Sequence, residues 1–68
     1  MIKVRLMNKH IRLVKAGRFE VARLLLKLLN DGNITVYFDD ISWEVDRICN
    51  KLSIRRYIDR QGICHYYL

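Results

Sequence analysis

The segment of residues 18–30 constrains the fold most, because its apolar residues cover most of the circumference of a helix. It holds eight apolar residues, and its polar residues form a narrow stripe at spacings of three and four: Glu20, Arg23, Lys27 and Asn30. An apolar arc of this width exceeds what one face of a sheet covers. We therefore predict a helix over residues 18–30 that is central to the core, or that also packs against a second copy of the chain.

The length of the chain, 68 residues, predicts one small domain over residues 1–68. Below about 70 residues a single core supplies only a few kcal/mol, and natural proteins of this size add a metal, disulfides or a partner subunit. A closed metal site is not indicated, because His10 and His65 are far from any CxxC or HxxxH spacing. We predict no metal and no cofactor, and a homodimer that forms through residues 18–30.

The absence of membrane and secretion signals predicts a cytoplasmic protein. No apolar run approaches the roughly 18 residues of a membrane span, and charges interrupt the apolar N-terminal residues, unlike in a signal peptide. Without a secretory signal, Cys49 and Cys64 are predicted to be buried free thiols, although the two could also pair. We expect no membrane partner.

Residues 1–16 alternate apolar and basic side chains in two short segments. Ile2, Val4 and Leu6 follow the period-2 pattern of a half-buried strand, and the pattern resumes after a central Asn-Lys pair. We predict a β-hairpin in which Arg5 faces Arg12 on the outer side. A helix over residues 11–29 is the competing interpretation, and a glycine at position 17 argues against it.

A strand and a second helix are predicted next. Residues 33–38 are rich in β-branched and aromatic residues, as in a short strand. Asp39-Asp40 would supply an N-cap and an acidic first turn for a helix over residues 41–52. The apolar residues of that helix recur on one face, whereas Trp43 points nearly opposite to them.

Residues 54–68 predict a second hairpin. Two β-rich segments flank Gln61-Gly62, and a two-residue turn there would place Tyr57 opposite Tyr66. The predicted order of elements is β-β-α-β-α-β-β. It describes a small α+β domain with an added hairpin at the N-terminus.

Charge is segregated along the chain. Residues 1–18 hold six Lys and Arg and no acid, whereas residues 31–46 hold five acids and no Lys or Arg. Residues 47–68 hold five more Lys and Arg against a single aspartate, and the net charge is +6. If the two basic hairpins form one positive face, that face is the footprint of a polyanion binder. The alternative is an ordinary solvated surface.

The order of the last fifty or so residues resembles that of a winged helix-turn-helix domain. LLLKLLNDGNITV resembles the first helix and the strand after it, WEVDRICNKL the recognition helix, and YIDRQGICHYYL the wing. The resemblance implies a DNA-binding regulator of transcription that acts as a dimer on a two-fold related site. Its recognition helix would be residues 41–52 and its wing residues 55–67.

The resemblance also implies which side chains contact DNA. The side chains that would face the major groove are Trp43, Arg47, Asn50 and Lys51. In that groove Arg hydrogen-bonds guanine and Asn hydrogen-bonds adenine. Those that would contact phosphates or the minor groove are Arg55, Arg56, Arg60 and Gln61. The residues expected to add positive charge from the N-terminal hairpin are Lys3, Arg5 and Arg12.

Two other functions fit the sequence. The first is binding of RNA or a single strand by a basic β-surface that includes Lys3, Arg5 and Arg12, with Tyr57 or Tyr66 stacking on bases. The second is an interaction module, such as an inhibitor, antitoxin or viral host-modulating factor, that uses a tryptophan beside an acidic cluster.

Enzymatic activity and a small-molecule substrate are not predicted. Adjacent Asp39 and Asp40 point in different directions, which makes them a poor acid/base pair. Cys64 and His65 are neighbours on a strand and face opposite sides, so the imidazole cannot activate the thiol. The chain also lacks a glycine-rich phosphate loop and a serine nucleophile motif.

Overall fold

The N-terminal residues form a helix, so the β-hairpin predicted for residues 1–16 is wrong. In the computed structural model, which describes residues 1–37 and 41–68, α1 spans Ile2–Lys15. The alternation at the start of the chain fits a helix equally well, since Leu6 and Leu13 lie two turns apart on one face and both are buried. No glycine is present between residues 2 and 15 to provide the positive φ that a tight primed turn needs.

Gly17 ends α1, so the competing single helix over residues 11–29 is also wrong. Gly17 has φ of +77°, its N–H donates to the Val14 carbonyl at 3.0 Å, and the Arg18 N–H donates to the Leu13 carbonyl at 2.9 Å. These two bonds form a Schellman motif, which favours glycine because it has no Cβ. The chain then reverses into the next helix.

The second helix, α2, spans Phe19–Asp31 and confirms the predicted helix within one residue at each end. Its fully buried residues are Val21, Ala22, Leu25 and Leu28. Both α1 and the strand that follows α2 pack against this helix. The core covers only part of the apolar arc, because Leu24, Leu26 and Leu29 are half-buried and Phe19 is exposed. The packing of α2 against a second copy stays a prediction.

The remaining elements follow the predicted sequence of strand, helix and hairpin. β1 spans Asn33–Val36, α3 spans Ser42–Lys51, β2 spans Arg55–Ile58 and β3 spans Cys64–Tyr67. The predicted cap at Asp39-Asp40 lies outside the described residues. The fold is thus a small α+β domain, and its order in the described residues is α-α-β-α-β-β instead of the predicted β-β-α-β-α-β-β.

The C-terminus of α3 repeats the Schellman motif without a glycine. Ser53 has φ of +59°, its N–H donates to the Asn50 carbonyl, and the Ile54 N–H donates to the Cys49 carbonyl at 2.9 Å. A residue with a Cβ is strained in this left-handed conformation by roughly 1 kcal/mol.

Replacing Ser53 with glycine is expected to stabilise the domain by about 0.5 kcal/mol. The relief of strain exceeds the additional entropy that glycine gives the unfolded chain. Urea unfolding followed by circular dichroism measures the change, with Ser53→Ala as the matched control that keeps the Cβ. Equal or lower stability of Ser53→Gly relative to the wild type would contradict the expectation.

The three strands form one antiparallel sheet in the order β1-β3-β2. Tyr57 pairs with His65 and Ile58 with Cys64, so the predicted pairing of Tyr57 with Tyr66 is wrong by one residue. The connection is longer than the predicted two-residue turn because glutamine does not favour the positive φ of a primed turn. Gly62 takes the left-handed position instead, with φ of +81°.

The corrected register separates two faces of the sheet, since side chains alternate along each strand. Tyr66 pairs with Ile34 and is buried against the helices, with 1% of its surface exposed. His65, Tyr57 and Tyr67 therefore share the opposite face, which we call the outer sheet face.

The cysteines are free, as predicted. Cys49 is fully buried in the core, and Cys64 is half-buried and packs against the core. Burial, together with nearby Asp46, raises the pKa of the Cys49 thiol to about 12, so it is unreactive at neutral pH. In the part of the chain that the structure describes, no helix is long and apolar enough to cross a bilayer.

Candidate nucleic-acid interface

A basic groove runs between α1 and α3. It is an open concave surface of about 1010 Å³, and five cationic side chains line it: Arg5, Lys9, Arg12, Arg47 and Lys51. Asn8 and Asn50 add amide groups, and apolar side chains of the core form its floor. We call this surface the α1–α3 groove. Its charge and its amides suit a ligand that carries several negative charges.

The helical geometry of α1 explains how the cations converge. Arg5, Asn8, Lys9 and Arg12 lie at positions i, i+3, i+4 and i+7, which form one face of a helix. The core residue Leu13 borders the same face. The side chains that face the groove thus project from a helix that the core holds in place.

Glu44 is the one acid that lines the groove among the described residues, and it is already paired. Its carboxylate accepts a hydrogen bond from the Arg18 guanidinium, and 14% of its side chain is exposed. This hydrogen bond raises the pKa of Arg18. Because Arg18 follows α1, the pair also links the end of α1 to the start of α3. The negative charge of Glu44 is therefore largely offset.

Trp43 lies on the exposed side of α3, as its direction in the helix predicts. Its side chain is 60% exposed, and the Arg47 guanidinium carbon lies 5.3 Å from the centre of the indole ring. A cation–π contact of this kind restrains an otherwise mobile arginine at modest energy. Trp43 thus supports the position of Arg47 at the edge of the groove.

Asp46 anchors α3 to the sheet. Its carboxylate accepts hydrogen bonds from the Tyr66 hydroxyl at 2.7 Å and from the Arg56 guanidinium. The Asn50 amide, one turn along α3, also donates to it at 3.4 Å. The hydrogen bond to Asp46 raises the pKa of Arg56, and burial raises the pKa of Tyr66. Asp46 therefore fixes the orientation of the helix that forms one wall of the groove.

The structure brings together about half of the predicted contact residues. Those that line the groove are Arg5, Arg12, Arg47, Asn50 and Lys51. Lys3 lies on α1 outside the groove, and Arg56 is engaged by Asp46. Arg55 pairs with Tyr67 on the sheet, while Arg60 and Gln61 lie in the turn of the hairpin, away from the groove lining.

Sequence reasoning missed Asn8 and Lys9. The predicted hairpin places both residues in its turn, whereas both line the groove. The signal that would have found them is the helical spacing of Arg5, Lys9 and Arg12 at i, i+4 and i+7.

The acidic cluster beside Trp43, on which the interaction-module hypothesis depends, is only partly described. Glu44 is paired with Arg18 and Asp46 with Arg56. Asp39 and Asp40 lie outside the described residues. The acids that are described are therefore occupied within the chain and offer little free charge to a basic partner.

Of the two N-terminal helices, α1 exposes more large apolar side chains than α2. Val4, Met7, Ile11 and Val14 form a stripe along α1, with between 37% and 54% of each side chain exposed. On α2 the largest exposed apolar side chain is Phe19, at its first residue. Four apolar residues of α2 are buried in the core of the chain itself, and the homodimer through residues 18–30 stays a prediction.

The function of the site is inferred from its geometry alone. No protein-family model, curated protein or solved structure matches the chain. Within residues 1–37 and 41–68, no group of three or more His, Cys, Asp or Glu side chains is placed to hold a metal ion.

Proposed function

We propose that this protein binds duplex DNA, with phosphates held in the α1–α3 groove and the exposed side of α3 directed at base edges. The observation that carries the proposal is the convergence of five cations from two helices on one groove. Each phosphate that a cation neutralises releases a condensed counterion, and this release drives association with DNA. Glu44 does not oppose it, because Arg18 already neutralises that carboxylate.

A duplex is favoured over a single strand by the shape of the surface. A helix fits the major groove of B-DNA, which is about 12 Å wide. Arg47 and Asn50, on the exposed side of α3, are residue types that hydrogen-bond guanine and adenine in that groove. The order α2-β1-α3-β2-β3 is the one on which the resemblance to winged helix domains rests. A role in transcription and a homodimer remain predictions.

The RNA and single-strand hypothesis loses its original basis. It placed Lys3, Arg5 and Arg12 on a β-surface, whereas all three lie on α1. Tyr66, one of its two stacking candidates, is buried.

The affinity for duplex DNA is expected to fall steeply with salt. Four phosphate contacts, from the groove cations other than Arg47, give a slope of about −3.6 for log affinity against log salt, or about a 150-fold loss between about 50 and about 200 mM. Fluorescence anisotropy with a labelled duplex measures the slope. A single strand of the same sequence, which has lower charge density, serves as the control and should give a shallower slope. No binding at low salt, or a slope near zero, would disprove the proposed function.

A further inference from the structure

The outer sheet face carries an aromatic cluster that none of the three described helices covers. Tyr57 on β2 and His65 on β3 stack with ring centres 4.6 Å apart and planes within 12° of parallel. Tyr67 lies next to them, tilted by 57° with its ring centre 6.1 Å from that of Tyr57. Tyr57 is 55% exposed and Tyr67 37% exposed. Three rings therefore stand together on a surface in contact with solvent.

Hydrogen bonds hold the central ring of this cluster in place. The His65 Nε2–H donates to the Asp59 carboxylate at 2.8 Å, and the Thr35 hydroxyl lies 3.2 Å from Nδ1. The other oxygen of Asp59 accepts the backbone N–H groups of Gln61 and Ile63. The hydrogen bond from His65 lowers the pKa of Asp59, so this carboxylate stays ionised. The imidazole is thus locked between β1 and the hairpin turn.

One face of the Tyr57 ring is open. β3 is the central strand of the sheet and β2 is an edge strand. His65 therefore covers the face of the Tyr57 ring that is turned toward β3, and the opposite face of the ring is turned away from the sheet at its free edge. A flat π-system that stacked there would extend the existing pair of rings. Stacking of a base on an aromatic side chain needs such an uncovered face on a restrained ring.

A cation borders the cluster on the same face of the sheet. Arg55 pairs with Tyr67 and lies on the same face as the rings. Asp59, the acid next to the cluster in the described residues, is already occupied by His65 and the turn. A single strand of nucleic acid combines flat rings with negative charge and can use both the rings and Arg55.

We propose that the outer sheet face is a second binding site, which takes the unpaired bases of a single strand of nucleic acid. A base stacks on the open face of Tyr57, and Arg55 contacts the adjoining phosphate. The site is separate from the α1–α3 groove, and it does not require that the groove bind a duplex.

Comparing two oligonucleotides of equal length and charge tests the proposal. One is a run of thymidines, and the other is the same backbone without bases, so that their affinity ratio reports stacking and not charge. We expect the wild type to prefer the thymidine strand about fivefold or more, and Tyr57→Ala to bring the ratio close to one. Tyr57→Phe keeps the ring and should keep the ratio.

Two controls keep this result separate from the groove. Arg12→Glu should lower duplex affinity and keep the preference for the thymidine strand, because Arg12 lies in the groove and not on the sheet face. Tyr57→Ala should leave duplex affinity unchanged, and since Tyr57 is exposed on an edge strand the variant should fold, which thermal unfolding checks. A ratio near one in the wild type, or a ratio that Tyr57→Ala does not change, would overturn the proposal whatever the duplex measurements show.

Discussion

Reversing the charge of Lys9 is expected to weaken binding to duplex DNA by about tenfold or more at about 100 mM salt, whereas reversing that of Lys3 should change it by less than about twofold. The two lysines lie on the same helix, and Lys9→Glu and Lys3→Glu change the net charge equally. Only Lys9 lines the α1–α3 groove. The difference between the variants therefore reports position and not overall charge.

The salt dependence gives a second readout of the same pair. Removing one phosphate contact should make the slope of log affinity against log salt shallower by about 0.9, so Lys9→Glu should change it and Lys3→Glu should not. Anisotropy titrations at several salt concentrations measure both quantities. An equal loss in the two variants would mean that binding follows net charge, and the groove would not be the binding surface.

Replacing Leu6 with alanine is expected to destabilise the domain by about 2–5 kcal/mol, while Val4→Ala should change stability by less than about 0.5 kcal/mol. Leu6 is fully buried, whereas Val4 is 54% exposed. A domain of this size has only a few kcal/mol of stability, so Leu6→Ala should be largely unfolded at room temperature.

This second pair of variants distinguishes a helix from a strand at the N-terminus. In a strand, Leu6 and Val4 share one face and should be similarly sensitive. In α1 the two residues point about 200° apart around the helix axis, and only Leu6 meets the core. Urea unfolding followed by far-ultraviolet circular dichroism measures the free energy of unfolding. Equal destabilisation by the two substitutions would contradict the helix.

Most of the helices and strands could be predicted, and for three of them the reason is that their residues favour one structure only. The arc of apolar residues in α2 has the period of a helix, and Gly32 ends it with φ of +82°. The apolar face of α3 and the β-branched residues of β1 are equally distinct. Residues 2–6, by contrast, fit two structures. Their apolar residues fall at every second position, as in a strand, but Ile2 and Leu6 are also four residues apart, as on one face of a helix. Only the packing of α1 on α2 decides between the two patterns.

The candidate site could be predicted from the sequence where it depends on one element. Arg47, Asn50 and Lys51 follow from the exposed face of α3. Lys9 lines the groove only because α1 is a helix. Arg56 forms an ion pair with Asp46 only because α3 packs on the sheet. Contacts between elements distant in sequence are not encoded in local periodicity.

The outer sheet face was hidden for a similar reason. A shift of one residue in strand pairing moves every side chain to the other face of the sheet. The predicted turn at Gln61-Gly62 paired Tyr57 with Tyr66, and the observed pairing with His65 buries Tyr66 and places Tyr57 beside Tyr67. The identity of the turn residues alone did not specify the length of the loop.

An NMR titration of the labelled protein with a short DNA duplex tests the central claim most directly, because it maps the contact surface without any substitution. The account predicts that backbone amide shifts change together along α1 at Arg5, Lys9 and Arg12 and along α3 at Arg47 and Lys51, with little change at Lys3 and Ile11. Shifts that leave the groove residues of α1 unperturbed, while the protein binds the duplex, would contradict it.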